Sequence, residues 1–451
     1  MLSYDILVGV TTEQPLPTIA PVPDVLADLD WRGLLAQTTD RDALVNDLAE
    51  GPLTVYCGFD PTADSLHVGS LVPLFALRRF QLGGHRPIAL AGGATGFIGD
   101  PTGRTSDRVM ETPEVIAGRV VTLGAQMSRF LSFDDSPTGA VLVDNLEWTA
   151  PLSALEFLRD VGRHFPVNQM LARESVSARL DSGGLSFTEM SYQLLQSLDF
   201  VELYRRYGCR AQIGGNDQWG NITAGLDLLR RMEQGSGHAL TFPLVTDAAG
   251  NKLGKSTGGG NVWLDPLMTS PFVLWQFLLN VDDRDVGTYL RLLTFVGREE
   301  VEGLDQETVE RPHARAAQRR LADELVALVH GPDELRKVQA ASAALFGGGA
   351  LHELDEQTLL DALAEAPSVT LPVDAVPGST PVVDLLAQAL GVSKSDARRA
   401  VREGGAYLNN VRLTDETAAP QDGDWLHGRF LVLRKGKRSV AVVQRAQVGM
   451  P

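Results

Sequence analysis

Residues 54–91 constrain the fold of this chain more than any other stretch. A short apolar run, Thr54–Phe59, precedes a segment with helical apolar spacing, Leu66–Leu82, in which Leu71, Leu74, Phe75 and Leu82 recur on one side. A second apolar run, Arg86–Ala91, follows. Strand, helix and strand within about 30 residues make a βαβ unit, and strands joined in this way lie parallel. Val141–Val143 and Arg210–Ile213 are further strand candidates, separated by helical stretches at 151–163 and 189–206. The pattern predicts a doubly wound parallel-sheet α/β domain over about residues 50–250.

The 451 residues are 44% apolar, enough for a sizeable core and for two or three domains. Residues 266–350 carry helical spacing, as in Phe272, Trp275, Leu278 and Leu279 and again in Leu321, Leu325 and Leu328, and predict an α-helical domain. Pro367, Pro372, Pro377 and Pro381 mark 366–381 as an extended linker. Pro15, Pro17, Pro21 and Pro23 make residues 1–23 an arm through which neither helix nor central strand runs. The expected division is an extension at 1–23, a catalytic domain at 24–257, a helical domain at 258–365, a linker at 366–378 and a small C-terminal domain at 379–451. No apolar run approaches the ~18 residues of a membrane helix, and the N-terminus lacks the order of a secretory signal, so a cytoplasmic protein with no membrane partner is expected. Cys57 and Cys209 are the only cysteines, which disfavours both a disulfide scaffold and a thiolate zinc site.

A net charge of -17 argues against a nucleic-acid partner, but it is unevenly spread. Residues 379–451 hold 11 Lys and Arg against 7 Asp and Glu, a net of +4, which leaves -21 on residues 1–378. A small basic tail follows a large acidic body.

Two glycine-rich segments resemble nucleotide loops without fitting them. Gly250–Ser256 has one residue too few between its glycines for a phosphate loop, and Gly93, Gly96 and Gly99 lack the opening GxG of a dinucleotide fingerprint. Asp64–Ser70, DSLHVGS, is more informative. It lies at the turn into the first helix, where Asp64 or Ser65 can cap, Gly69 leaves room for a flat group, and His67 can donate to a phosphate. Lys252 and Lys255 occupy a glycine-rich loop and can close over a departing pyrophosphate, although a solvated loop would read the same way. Tyr192, Gln196 and Asp199 share one face of the helix expected at 191–207, either facing solvent or walling a polar pocket.

Taken together, YCGFDPTADSLHVGS (56–70), GGATGFIGDPTGRT (92–105), QIGGNDQWGNITAG (212–225) and KLGKS (252–256) closely resemble the bacterial tyrosyl-tRNA synthetases, class I enzymes with a Rossmann-like catalytic domain. The resemblance is strong over about 30–280 and architectural beyond. It implies that the carboxylate of L-tyrosine attacks the α-phosphate of ATP, with Mg²⁺ arriving on the ATP and no protein-bound metal, and that the tyrosyl group then passes to tRNA. By the same resemblance His67, Lys252 and Lys255 stabilise the transition state. Asp100, Tyr192 and Gln196 would hold the ammonium group, and Tyr56 with Asp199 the phenol hydroxyl. Cys57, Gly58, Gly69, Gly215, Asp217, Gln218 and Ser256 would line the nucleotide, with Asp217 accepting from the ribose. Ser70 stands where many members carry a second histidine or an asparagine, and Pro73 sits in the first turns of the helix. Residues 1–23 lack a counterpart in the family core and are expected to be dispensable for activation. The family is homodimeric.

The tail accounts for the charge asymmetry. Lys394, Arg398 and Arg402 fall at i, i+4 and i+8 with Arg399 beside them, Gly404-Gly405 ends that helix, and Arg434–Arg438 makes a basic hairpin tip. This resembles the small RNA-binding module first seen in a ribosomal small-subunit protein, so these cations are expected to grip tRNA. A solvated basic face is the plainer alternative. A tryptophan-specific relative and a non-catalytic RNA-binding protein of the same fold are the rival functions; Tyr56 and Asp199 speak against the first, and His67, Lys252, Lys255 and Asp217 against the second.

Overall fold

The computed structural model describes residues 19–100, 111–171, 186–248, 250, 253, 260–347, 349–364, 366–372, 380–436 and 439–446. They form two compact units, one built from Met1–Thr269 and Leu279–Val329, the other from Ser270–Leu278 and His330–Pro451.

The first unit is organised by a six-stranded sheet of β1 (Gln37–Thr38), β2 (Thr54–Phe59), β3 (Arg86–Ala91), β4 (Val141–Asp144), β5 (Ala211–Gly215) and β6 (His238–Phe242), in the order β1-β6-β5-β2-β3-β4. All neighbours are parallel except β1, which runs antiparallel along β6. β2 and β3 have the bounds read from the sequence, and the doubly wound sheet is as expected. Strands β1 and β6 and the helices Val25–Arg32 and Arg41–Glu50 were not anticipated. Asp24 and Asp40 cap those two helices by accepting from Ala27 N and Ala43 N.

The first crossover helix starts later than expected. His67 caps a single 3₁₀ turn, Val68–Ser70, and the α-helix runs Leu71–Leu82. Neither Asp64 nor Ser65 is the cap: Asp64 accepts from Arg119 Nε at 2.7 Å, and Ser65 Oγ donates to Leu66 O at 2.7 Å. Pro73 is harmless at the third helical position, because the first N–H groups of a helix have no intrahelical partner. Phe187–Tyr207 is a 21-residue helix opened by a reciprocal Ser186–Glu189 capping box and closed by Gly208 at φ 63°. The stretch at 151–163 is broken into short turns, Ala154–Glu156, Phe157–Val161 and Gly162–His164. Between sheet and helices a core of Tyr56, Ile88, Leu90, Val143, Trp148, Leu198, Phe200 and Leu228 closes.

Helices Val286–Leu293, Arg298–Glu310 and Ala316–His330 follow as the apolar spacing required. Buried Arg79 ties the Leu71–Leu82 helix to Asp28 at 3.0 Å and to Thr294 O.

In the second unit, strands β7 (Ser368–Leu371), β8 (Ala406–Leu408), β9 (Val411–Arg412), β10 (Phe430–Lys435) and β11 (Ser439–Arg445) form a sheet in the order β7-β11-β10-β8-β9. Helices Val382–Leu390 and Lys394–Arg402 pack on it through Val383, Leu386, Ala397 and Val401 against Leu431, Leu433 and Val443. The proline-rich segment is not wholly a linker: 368–371 pairs in parallel with Val442–Arg445. Helices Pro332–Gly347 and Glu356–Leu363 belong to the same unit, as does nearly all of the helix Pro271–Leu279.

Candidate active site

Because β3 and β4 lie on one side of β2 and β5 and β6 on the other, the chain reverses its winding between β2 and β5. A crevice opens outside the carboxyl ends of strands at such a point. The ends that meet there are Cys57–Asp60, Ala91–Gly93, Asp144–Asn145 and Gly214–Gln218.

The deepest residues are Tyr56 and Asp199, both almost fully buried. Asn145 Nδ2 donates to Asp199 Oδ2 at 3.0 Å and Trp148 Nε1 to Oδ1 at 2.8 Å, so each carboxylate oxygen is fixed by one donor. Burial nevertheless pushes the Asp199 carboxyl up to about 7, against the lowering effect of these two bonds. Burial, then the charge of Asp199, holds the Tyr56 phenol well above its ordinary value. The Tyr56 hydroxyl and Gln196 Oε1 are buried without a hydrogen-bond partner, whereas buried polar atoms are as a rule paired. An unpartnered Tyr56 hydroxyl with a fixed carboxylate nearby suits a ligand that brings its own hydroxyl, and the Gln196 oxygen suits a ligand that brings a second donor.

Asp60 forms a second centre. It accepts from Tyr192 Oη at 2.8 Å and from Thr95 Oγ1 at 2.6 Å, and Asn145 Nδ2 in turn donates to Thr95 Oγ1 at 3.2 Å. One chain of bonds therefore runs from Tyr192 to Asp199. After burial, the charges of Asp60, Asp100 and Asp199 all raise the Tyr192 phenol, so the negative charge of several carboxylates is felt at its hydroxyl. Such a pocket favours a cation. Asp100 accepts from Gln218 Nε2, which joins the β5 turn to the loop after β3. The room for this arrangement comes from glycines: a Cβ on Gly92 would stand 2.2 Å from Asp60 Oδ1, and one on Gly93 equally close to Asp144 Oδ1. The glycine-rich stretch after β3 thus serves carboxylates and not a dinucleotide.

At the opposite wall, Gly69 N donates to His67 Nδ1 at 3.0 Å. The neutral imidazole therefore carries its proton on Nε2. Burial lowers its pKa below the ordinary value, which favours that neutral donor. A Cβ on Gly69 would meet the His67 ring at 2.8 Å and Leu253 O at 3.4 Å. Leu253, from the KLGKS stretch, thus lies against the His67 turn; Lys252, Lys255 and Ser256 lie outside the described residues. Gly58 leaves an open face on β2, Cys57 is a buried thiol raised by burial to about 12, and Gly215 accommodates Asp217, which is exposed on the turn Asn216–Gln218. Ser70 makes no side-chain cap. Among the described residues no group of three His, Cys, Asp or Glu is placed to hold a metal ion.

Asp60, Thr95, Asn145 and Trp148 escaped the sequence reading, although Asp60 and Thr95 stand inside quoted motifs and Asn145 directly follows the observed strand β4.

In the second unit, Lys394 pairs with Asp384 at 3.0 Å, Arg399 with Asp396 at 2.7 Å and Arg402 with Glu416 at 2.8 Å. Arg398 is exposed on the same helix and has no ion-pair partner among the described residues. Arg434 stacks on Tyr407, its guanidinium 4.2 Å from the ring centre; Lys437 and Arg438 of the hairpin tip lie outside the described residues.

Residues 48–347 match the family described as tRNA synthetases class I (W and Y), and residues 359–443 match the tyrosine–tRNA ligase SYY-like C-terminal domain. The chain is 57% identical over 424 residues to a tyrosine–tRNA ligase of Nocardia farcinica, covering 94% of this chain and 99% of that protein. A tyrosine–tRNA ligase of Streptomyces coelicolor is 58% identical, covering 93% of this chain and 99% of its own. Among solved structures, a C-terminally truncated mitochondrial tyrosyl-tRNA synthetase of Aspergillus nidulans superposes with a TM-score of 0.63 at 31% identity, covering 70% of this chain and 92% of that one. The chain belongs to the class I tRNA synthetases and, within them, to the tyrosine–tRNA ligases.

Proposed function

We propose that the protein joins L-tyrosine to tyrosine tRNA in two steps, and the observation that carries this is the unpartnered Tyr56 hydroxyl in a buried pocket with the anchored Asp199. In the first step the tyrosine carboxylate oxygen attacks the α-phosphorus of ATP, the bond to the bridging oxygen breaks, and pyrophosphate leaves with Mg²⁺ that entered on the ATP. In the second, a hydroxyl of the terminal adenosine of tRNA attacks the tyrosyl carbonyl and AMP leaves. The protein supplies no nucleophile; it positions the reactants and stabilises developing charge.

The phenol hydroxyl sits between Tyr56 and Asp199, and the ammonium group in the field of Asp100 and Asp60 with Tyr192 and Gln196 beside it. Adenosine lies over Cys57, Gly58 and Gly69, its ribose toward Asp217 and Gln218 with Gly215 leaving room. The roles at the phosphates fall to His67 Nε2–H and, from the KLGKS stretch, to Lys252, Lys255 and Ser256. Residues 24–257 serve as the catalytic domain, 258–365 as the helical domain and 379–451 as the RNA-binding domain, joined by 366–378. The protein acts in the cytoplasm as a homodimer. Exposed Leu155 (80%), Phe187 (68%), Val167 (57%) and Leu158 (50%) are the apolar side chains such an interface needs. No helix among the described residues is long and apolar enough to cross a membrane.

The test is amino-acid-dependent exchange of pyrophosphate into ATP. Exchange with tyrosine but not with phenylalanine or tryptophan supports this reading; exchange with none of them favours a non-catalytic RNA-binding protein.

Two further outcomes are expected. The Asp199 carboxyl, at about 7 in the free protein, is lowered when a phenol hydroxyl donates to it, so tyrosine binding near neutral pH releases a proton. Tyrosine affinity should rise with pH up to about 7 and level off above it. The raised carboxyl has the opposite effect on folding: its contribution is complete below the ordinary carboxylate range and is lost as pH rises through about 7. Calorimetry in buffers of different ionisation enthalpy reads the proton directly, and pH-independent binding would refute the assignment. In the second unit, Arg398→Glu should lower tRNA charging by roughly tenfold at low salt, the scale of a lost and reversed phosphate contact, while pyrophosphate exchange is unchanged. Equal loss of both activities would count against an RNA role for this helix.

A further inference from the structure

The turn that carries His67 is irregular backbone, so its polar groups need partners from elsewhere. Part of the answer is the segment just after the KLGKS stretch: Val68 N donates to Val262 O at 3.0 Å and Leu264 N to Leu66 O at 2.8 Å, with His67 opposite Trp263 in an antiparallel bridge. Two side chains make further bonds. Gln126 Oε1 accepts from Leu66 N at 2.8 Å, and Gln126 Nε2 donates to Ser65 Oγ at 3.0 Å. Ser65 Oγ also accepts from Asp265 N at 3.0 Å. Both ends of one amide are thus spent on the two residues preceding His67, and one hydroxyl links that amide to the segment opposite.

Gln126 lies in the last turn of the helix Pro113–Met127, seven residues after Arg119, on the same face. Arg119 also reaches this turn, but its partner Asp64 is 73% exposed, and an ion pair so open to solvent is worth little. Ser65 is buried, so the Gln126–Ser65 pair carries the constraint.

We propose that Gln126 and Ser65 are positioning residues for adenylate formation: they hold the His67 turn in register with Val262–Asp265, and so fix where the imidazole meets the phosphates. This rests on His67 acting in that step, as proposed above. The hydrogen bonds of Gln126 and Ser65 go to Leu66, Asp265 and each other, and to none of the residues around Tyr56, Tyr192 and Asp199.

The experiment uses the full-length protein and compares Gln126→Met, which keeps the volume and removes both bonds, with Ser65→Ala, the double variant and Gln126→Glu. Exchange rates are measured per active site, together with tyrosine affinity by calorimetry and thermal midpoint. Gln126→Met should lower the rate constant by between about ten- and a hundredfold, the scale of a displacement near 1 Å, with tyrosine affinity within a factor of about two of wild type. Gln126→Glu retains an acceptor for Leu66 N and should recover part of the rate. The double variant should be no slower than the slower single, and Gln126→Met should add nothing in a His67→Ala background. An unchanged rate in folded Gln126→Met overturns the proposal, as does a loss of rate and tyrosine affinity together. Should Gln126→Met not fold, Ser65→Ala decides by the same criteria. If His67→Ala itself leaves exchange unaffected, the reading of His67 fails; if His67→Ala is slow and Gln126→Met and Ser65→Ala are not, only the positioning role fails.

Discussion

Replacing Asp199 by Ala is expected to lower kcat/KM for tyrosine-dependent exchange by roughly 10- to 150-fold. The substrate hydroxyl loses an acceptor that is charged or close to it, and a hydrogen bond to a charged group is worth about 1.5–3 kcal/mol. The variant also leaves Asn145 Nδ2 and Trp148 Nε1 facing a void, so part of the loss appears as a lower thermal midpoint. Tyr56→Phe separates the two effects. The hydroxyl it removes has no partner in the free protein, so stability should hold or rise slightly. Tyrosine should bind about tenfold more weakly through the loss of one neutral hydrogen bond, while phenylalanine, which never used that hydroxyl, should not suffer. An unchanged ratio of tyrosine to phenylalanine activity in Tyr56→Phe would remove this residue from the recognition of the phenol.

His67→Ala is the second large effect, with an expected fall in the exchange rate constant of roughly 10²–10³-fold at unaltered tyrosine affinity, as for other single donors aimed at developing charge. The Gly69 N–H bond to Nδ1 keeps the donor on Nε2, and burial favours the neutral ring, so the wild-type rate should carry no titration from this imidazole near pH 7. His67→Asn keeps an acceptor for Gly69 N, as asparagine does at other helix starts, and retains a donor; it should recover much of the rate. A variant as slow as His67→Ala would mean that reach, and not donation, is what the imidazole provides. Single-turnover measurement of adenylate formation reads this without interference from tRNA charging.

The central strands were legible because both are local apolar runs: Thr54–Phe59 and Arg86–Ala91 begin and end where the residues change character. The helix between them was misplaced at its start because the cap is a histidine, two and three positions beyond the more usual cap residues Ser65 and Asp64. Strand β7 was hidden for a different reason. Its four residues pair with Val442–Arg445, more than seventy positions away, and nothing local distinguishes SVTL from a linker. The candidate site divides along the same line. Tyr56, Tyr192, Gln196 and Asp199 lie on one strand and one helix whose periodicity is visible, whereas Asn145 and Trp148 reach Asp199 from more than fifty residues away. Asp60 was passed over as one residue of a turn, and its bonds to Thr95 and Tyr192 come from two distant helices.

The placement of the two cysteines makes the protein its own unfolding clock. Cys57 lies in β2 and Cys209 just ahead of β5, both buried at the middle of the sheet and both raised by burial to about 12, so neither offers a thiolate to an alkylating reagent while the sheet is closed. Reagent uptake then counts openings of the central sheet, with no engineered label and no background from surface thiols. Protection of the pair by added tyrosine would report how strongly occupancy of the neighbouring pocket suppresses those openings.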